Sequence, residues 1–236
     1  TLENKIIASA QSEYIIYIAG WSPDSKKLVF SVSVVPTMGF IEKAQAAEKG
    51  FDVGIYLIDL DSGLIEKLPF NDGFESFIDT HRVLISQNYQ KDFSIYDINT
   101  HGIQRLASRP VRQVNFSSDG TKWAFLKETL DHNKSDLSRN SVEIVYADFP
   151  NFSGVLVDSG EFAEIQWPVI SPNKNLIAYE KNNVIQVTNI QEGSKKSYIY
   201  GRPERWIDNQ RIIIIQFDPT HLIILDILSG QIEKIN

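Results

Sequence analysis

The chain of 236 residues has no cysteine, one methionine and four histidines. Without cysteine there are no disulfides, no thiolate nucleophile and no cysteine-ligated zinc. A basic excess is missing too: the formal net charge is −7, whereas a nucleic-acid surface normally carries a basic patch or stripe. Long apolar runs are also lacking. The most notable is Ile212 to Ile215, far short of the ~20 residues that a membrane-spanning helix needs. It reads as a buried strand, and direct membrane insertion of this segment is not expected. The common signatures of catalysis are missing as well: there is no G-x-S-x-G elbow, no phosphate-binding glycine loop and no H-E-x-x-H.

What the sequence does contain is repetition. YLIDLDSGLIEKL (Tyr56 to Leu68) recurs as IILDILSGQIEKI (Ile223 to Ile235), with an ungapped third copy, SIYDINTHGIQRL, from Ser94 to Leu106. Each is an apolar strand ending in Asp, a polar turn and a second strand. A second motif precedes these copies. WSPDSKKLVF (Trp21 to Phe30) is matched by FSSDGTKWAF (Phe116 to Phe125) and ISPNKNLIAY (Ile170 to Tyr179). FIDTHRVLI (Phe77 to Ile85) and WIDNQRIII (Trp206 to Ile214) are shortened versions. Proline fixes φ, and Asp or Asn bonds the backbone two residues on, so these turns are specified chemically. The runs after them have the β-branched and aromatic enrichment of half-buried strands.

Joined, the two motifs make a four-strand meander, strands a to d. In the first unit the strands are expected at Tyr14 to Trp21, Lys27 to Val32, Gly54 to Leu60 and Leu64 to Leu68. Five units follow at 14–70, 74–107, 111–158, 163–200 and 202–236. Such a unit cannot bury its own apolar faces, so the copies must stack. The fold class is therefore all-β, a β-propeller of about five four-stranded antiparallel blades in a single domain spanning 1–236. Trp21 and Trp206, at equivalent positions, are expected to be buried, each wedged between its own blade and a neighbour. Residues 1–13 hold an extra strand near Asn4 to Ala8. It either adds to the last blade or belongs to a blade outside this chain.

The SPDS, SSDG and SPNK turns followed by K-x-L-x-F-type strands resemble those of the TolB-like, WD-repeat-related β-propellers. The resemblance covers nearly the whole chain. It implies a fold used by protein-binding modules, sensor domains, peptidase-associated domains and some lyases, so it leaves function open.

Loops decide where a site could lie. In a four-strand blade the a–b and c–d turns share one rim, and the b–c and d–a loops share the other. Two b–c loops are long, Ser33 to Val53 and Lys127 to Ser141, and long loops in compact domains are often functional. The first contains Ala, Glu and Lys from Phe40 to Lys49, which predicts one short helix stopped by Gly50. The apolar residues leading into it, with Met38 and Phe40, form either an adaptable lip for a partner or a lid packed on the blade tops. Arg112, Glu164 and Arg205 come from d–a loops on the same rim. They are the candidates for charged contacts there, with Met38 and Phe40 as apolar anchors.

No metal site and no cofactor is expected. His81 and His101 fall in turns, His132 and His221 in b–c loops. The repeated Asp59, Asp97 and Asp226 sit where a turn-capping side chain belongs, with no calcium-loop ladder around them. The favoured expectation is a non-enzymatic module of the bacterial, extracytoplasmic kind (periplasm or cell surface), a monomeric part of a larger protein, binding a protein or peptide through the loop-rich rim. The first residue, Thr1, fits removal of a leader. The alternative is an enzyme-associated propeller, either the gating domain of a peptidase outside this chain or a lyase-like propeller.

Overall fold

The computed structural model describes residues 14–34, 53–70, 73–87, 92–106, 111–129, 140–217 and 220–235. Among these residues there is no helix, and the helix expected over Phe40 to Lys49 lies outside them. They form five four-stranded sheets. The first contains β1 (Tyr14–Trp21), β2 (Lys27–Val34), β3 (Gly54–Asp59) and β4 (Ile65–Lys67). The second contains β5 (Phe74–Phe77), β6 (Arg82–Gln87), β7 (Asp92–Asp97) and β8 (Ile103–Arg105). The third contains β9 (Val111–Phe116), β10 (Lys122–Thr129), β11 (Ser141–Asp148) and β12 (Val155–Glu161). The fourth contains β13 (Ile165–Ile170), β14 (Leu176–Lys181), β15 (Val184–Asn189) and β16 (Lys195–Tyr200). The fifth contains β17 (Arg202–Trp206), β18 (Arg211–Phe217), β19 (Thr220–Asp226) and β20 (Ile232–Lys234). Each strand pairs with its chain neighbours, so every sheet is a meander. The chain is all-β, a β-propeller with five blades.

The turns show why the repeat folds this way. In the three full-length a–b turns a buried serine closes the hairpin. Ser22, Ser117 and Ser171 donate their hydroxyls to Asp24 (2.6 Å), Asp119 (2.7 Å) and Asn173 (2.7 Å). The same hydroxyls accept the N–H of Lys27, Lys122 and Leu176 at 2.8–3.0 Å. In the two shortened turns one aspartate does both jobs. Asp79 accepts the N–H groups of His81 and Arg82, and Asp208 those of Gln210 and Arg211. Each then binds an arginine Nε at 2.7 Å through its second oxygen.

The c–d turns are capped as the sequence predicts. Asp59 accepts the Ser62 N–H at 2.9 Å, Asp97 the Thr100 N–H at 2.9 Å and Asp226 the Ser229 N–H at 2.8 Å. These bonds favour the ionised form and hold all three carboxyls below their ordinary value. Asn189 caps the fourth sheet in the same way, through Gln191 and Glu192. These aspartates are turn caps, each bonded through Oδ1 to its own turn.

The chain divides into two compact units, 1–89 with 94–104, and 90–93 with 105–236. In the first unit Val29, Ile55 and Leu57 of the first sheet pack on Phe77, Val83 and Tyr96 of the second. In the second unit the fourth sheet is buried on both faces. Ile177 and Tyr179 meet Leu126, Val142 and Ile144 of the third sheet, while Ala178, Ile185 and Val187 meet Ile212, Ile214 and Leu225 of the fifth. Burial on both faces explains why β14 reads as a continuous apolar run instead of an alternating one.

The two tryptophans expected to be equivalent are not. Trp206 is 8% exposed and donates its indole N–H to Val169 O of the preceding sheet at 3.1 Å. Trp21 is 43% exposed. At Trp206 the fourth sheet supplies the covering contacts, Val169, Ala178 and Ile185 among them. The fully buried tryptophan is Trp123, enclosed by Phe116, Phe149 and Phe152, with its N–H on Asn151 O at 2.8 Å. Trp206→Ala is expected to cost about 3–5 kcal/mol, as other large aromatic core truncations do. Trp21→Ala is expected to cost about 1 kcal/mol or less, nearer to a surface change. Urea unfolding of both variants checks the difference.

Candidate binding surface

The two long b–c loops that carry Met38 and Phe40, and 130–139, lie outside the described residues. The b–c and d–a ends of the second unit are described, and strand irregularities shape them. In β9, Arg112 pairs with Leu126 and Asn115 with Ala124, so Gln113 and Val114 share one partner position. In β13, Gln166 pairs with Glu180 and Val169 with Ala178, leaving Trp167 and Pro168 over one position. Gln113 and Trp167 both adopt the left-handed region, with φ of 49° and 58°. Such bulges re-aim side chains and free backbone groups.

The freed groups are satisfied across sheets. The Trp167 N–H donates to Gln113 Oε1 at 2.7 Å, and the Ile170 N–H to Asn115 Oδ1 at 2.9 Å. The third sheet thus fixes the bulge of the fourth, and the Trp167 ring is left 38% exposed. The Arg202 guanidinium lies 4.7 Å from the Trp167 ring centroid and 5.9 Å from that of Phe217, itself 44% exposed. Arg202 also pairs with Glu204 at 3.2 Å. Burial pushes the Glu180 carboxyl up, and Arg202 partly offsets this.

Gly201 fixes the origin of this arginine. It is the one residue between β16 and β17 and has φ of 145°. A Cβ there would lie 2.7 Å from Ile214 Cγ2 and 2.8 Å from Ile215 O. Only glycine allows the chain to turn this closely over β18 and start β17 with Arg202.

The neighbouring end of the third sheet holds a second group. Arg112 covers the Phe162 ring at 5.3 Å, and its Nε lies 2.8 Å from Oε1 of Glu128, whose side chain is 4% exposed. This is an ion-pair contact in which the N–H is not aligned, so Oε1 has charge compensation but no hydrogen bond. Asn140 Oδ1 is also buried without a hydrogen-bond partner, and so is Arg202 Nε. Among the described residues these three are the buried side-chain nitrogen or oxygen atoms without one. All three are at the b–c or d–a ends of the second unit's sheets.

The predicted contact residues are only partly brought together. Arg112 belongs to this surface, although its main contact is the buried Glu128. Glu164 accepts the Glu161 N–H at 3.1 Å and so caps the β12–β13 turn. Arg205 is exposed opposite Ile213, and its neighbour Glu204 takes the contact with Arg202. Trp167, Phe217, Glu128 and Asn140 were not expected here. A signal for the first existed: Pro168 and Pro203 interrupt strand a runs, and proline inside a strand marks an edge or a bulge.

His81 and His101 lie at the opposite, turn ends of the second sheet. His101 Nδ1 lies 2.8 Å from the Tyr96 hydroxyl and 3.4 Å from Glu66 Oε1, and His81 Nδ1 is 3.1 Å from Thr80 Oγ1. His221 lies in β19, not in a loop. Among the described residues no group of three His, Cys, Asp or Glu side chains is placed to hold a metal ion.

A cleft of about 360 Å³ opens elsewhere in the second unit, lined by Leu156, Asp158, Thr188, Ile190 and Lys195 among others. Asp158 accepts the Tyr179 hydroxyl at 2.6 Å and Lys181 Nζ at 2.9 Å, and pairs with Lys195 at 3.1 Å. Burial raises the Asp158 carboxyl, but these donors outweigh it and hold it at about 2. Burial first, and then the bond to Asp158, push the Tyr179 phenol up.

Two predictions follow from these charges. A folded-state value of about 2 against an ordinary 3.8 means that Asp158 stabilises the fold above the ordinary value. That contribution, about 2 kcal/mol, disappears as pH falls through the folded value. The stability gap between the wild type and Asp158→Asn should therefore be constant near neutrality and close on acidification toward about pH 2. Arg112→Ala, which strands Glu128, should cost about 3 kcal/mol, and adding Glu128→Gln should restore part of it. Arg205→Ala should stay within about 0.5 kcal/mol. Urea titrations over a pH series read both sets.

No protein-family model and no curated protein matches this sequence. Its backbone is similar to solved structures. An oligogalacturonate lyase in complex with manganese superposes with a TM-score of 0.61 at 13% identity, over 94% of this chain and 66% of the lyase chain. The crystal structure of a nidogen/laminin complex gives a TM-score of 0.64 at 8% identity, over 94% of this chain and 80% of the other. A prolyl endopeptidase gives 0.57 at 8% identity, over 94% of this chain but 36% of that one. The chain thus spans just under two thirds of the lyase and about a third of the peptidase. At these identities the likeness is one of fold: the chain is built as a β-propeller.

Proposed function

We propose that this chain is a binding module for a protein or peptide, and that the partner seats on the b–c and d–a ends of the second unit. The observation that carries the reading is Arg202, set between the exposed rings of Trp167 and Phe217 with its buried Nε unbonded. Tryptophan and arginine are the residue types that dominate binding energy at interfaces. Here they are presented by a bulge and a glycine turn, so little conformational freedom is left to lose on binding. The unbonded Nε calls for an acceptor, such as a partner carbonyl or carboxylate.

The fold neighbours include a lyase, a peptidase and a partner in a protein complex, so fold does not choose between binding and catalysis. The choice rests on what the described side chains do. Asp59, Asp97, Asp226, Asp79 and Asp208 are committed to their own turns, and Asp158 to Tyr179 and two lysines. The aromatic–arginine cluster faces outward with the Arg202 Nε unbonded. The TolB-like likeness supports an extracytoplasmic setting, which fractionation of native cells tests.

Peptides selected against the intact chain from a display library provide the binding test. Trp167→Ala and Arg202→Ala are expected to weaken the selected peptides by about thirtyfold, or about 2 kcal/mol for a hot-spot truncation. Asn99→Ala, at a c–d turn, should leave affinity unchanged. Selected peptides that bind Trp167→Ala with parental affinity would place recognition elsewhere.

A further inference from the structure

Beside the aromatic cluster, the third sheet breaks its own pattern. Alternate residues of a strand share a face, and one face of β10 and β11 carries Ala124, Leu126, Val142 and Ile144, packed on Ile165 and Ile177 of the fourth sheet. Continuing that face toward the b–c end, the next positions are Glu128 and Asn140. Register places Glu128 opposite Val142, so Glu128 and Asn140 are diagonal neighbours. Both are buried, Asn140 at 2% exposure. Two oxygen acceptors, Glu128 Oε1 and Asn140 Oδ1, thus end an apolar face with no hydrogen bond to either. Buried acceptors of this kind cost stability and mark a place where something is expected to donate.

The surrounding charge indicates the donor. Among the described residues Arg112 is the one cation in contact with Glu128. Glu161, paired opposite Ser141, and Glu164, bonded to the Glu161 N–H, lie at the same end. The Phe162 N–H donates to Asn140 O at 3.0 Å, which ties these residues to one another. Among the described residues three carboxylates stand against one guanidinium at this end of the third sheet. Lys127 does not balance them, since it points to the other face and pairs with Glu143 at 3.0 Å. The Phe162 ring already carries one cation, Arg112, and its face suits cations.

We propose that the partner inserts a basic side chain, an ammonium or a guanidinium, whose donors reach Glu128 Oε1 and Asn140 Oδ1. This rests on the reading above that the second unit's b–c and d–a ends are the docking surface, and it specifies the partner's chemistry there. A neutral donor would satisfy the two oxygens but not the excess of negative charge among the described residues. An ammonium has three donors and no acceptor, which fits a place lined by acceptors. The adjoining Arg202 Nε then takes an acceptor from the same partner, so the surface distinguishes a basic residue beside an acceptor from either alone.

The test uses the whole isotope-labelled chain and short blocked peptides: acetyl-Gly-Lys-Gly-amide, its arginine analogue and its acetyl-lysine analogue. The amide resonance of Phe162 reports the site. The lysine or the arginine peptide should shift it at millimolar concentration, and their relative affinities say which cation fits. The acetyl-lysine peptide should leave it unmoved. Glu128→Gln and Asn140→Leu should each weaken the response by about tenfold or more, while Asn140→Leu raises the melting temperature because an unbonded oxygen has been removed. If Glu128→Gln fails to fold, Asn140→Leu decides the matter.

The proposal is overturned if no basic peptide moves Phe162, or if acetylation or both variants leave the response intact. Display-selected peptides that depend on Trp167, combined with an unmoved Phe162, would keep the docking surface and remove the basic-side-chain site. A Phe162 response to basic peptides, with selected peptides indifferent to Trp167→Ala, would support the site and remove the aromatic cluster as the anchor.

Discussion

One oxygen per hairpin sets the geometry of this protein. Each a–b and c–d turn that carries such a cap is closed by a serine, aspartate or asparagine side chain that takes the backbone N–H groups a tight turn leaves unpaired. A turn closed at a fixed residue fixes register, and register fixes which side chains share a face. A one-residue slip at Ser117, for example, would move Leu126 and Ile144 off the face that packs on Ile165 and Ile177. The apolar contacts supply most of the stabilisation, but they are available only because the turns hold the pattern in phase.

Within that frame the first strand of each sheet departs from regular pairing. Register shifts occur at Ile18/Gly20, Phe74/Ser76, Gln166/Val169 and Pro203/Arg205, and opposite Ala124/Leu126. In the second unit the consequence is specific. A bulge leaves N–H groups without a ladder partner, and Gln113 and Asn115 of one sheet satisfy those of the next. The exposed position of Trp167 is therefore held by hydrogen bonds made one sheet away, not by its own strand. An interaction surface built on strands is more rigid than one built on loops alone.

The legibility of the sequence follows from the range of the physics involved. Turns are local: SPDS, SSDG, SPNK and the Asp before each c–d turn specify their geometry within five residues, so strand positions could be read to within a residue or two. Burial depends on neighbouring sheets. Trp21 and Trp206 have the same local sequence context, yet Trp206 packs on Val169 of the preceding sheet while Trp21 is 43% exposed. Trp123 lies in the FSSDGTKWAF motif, and its enclosure comes from Phe149 and Phe152 across a later turn. Arg112 was readable as a rim charge but not as the partner of Glu128, because Glu128 looks like an ordinary polar residue leading into a loop. Met38 and Phe40, the apolar anchors expected from composition, lie outside the described residues.

Two acidic residues of the third sheet show how structural charge separates from available charge. Asp158 and Glu128 are both largely buried and both touch cations. Asp158 receives a phenol, two ammonium groups and a backbone N–H, so its carboxylate is saturated and its acidity is strengthened despite burial. Glu128 has one cation, misaligned, and an oxygen without a hydrogen bond. A buried carboxylate that has gathered all its donors can gain little from a ligand. One left short of a donor, beside an amide oxygen in the same condition, has bonding capacity that folding did not use. That difference, more than the presence of charge, separates the part of this sheet that holds the fold together from the part with capacity left for a partner.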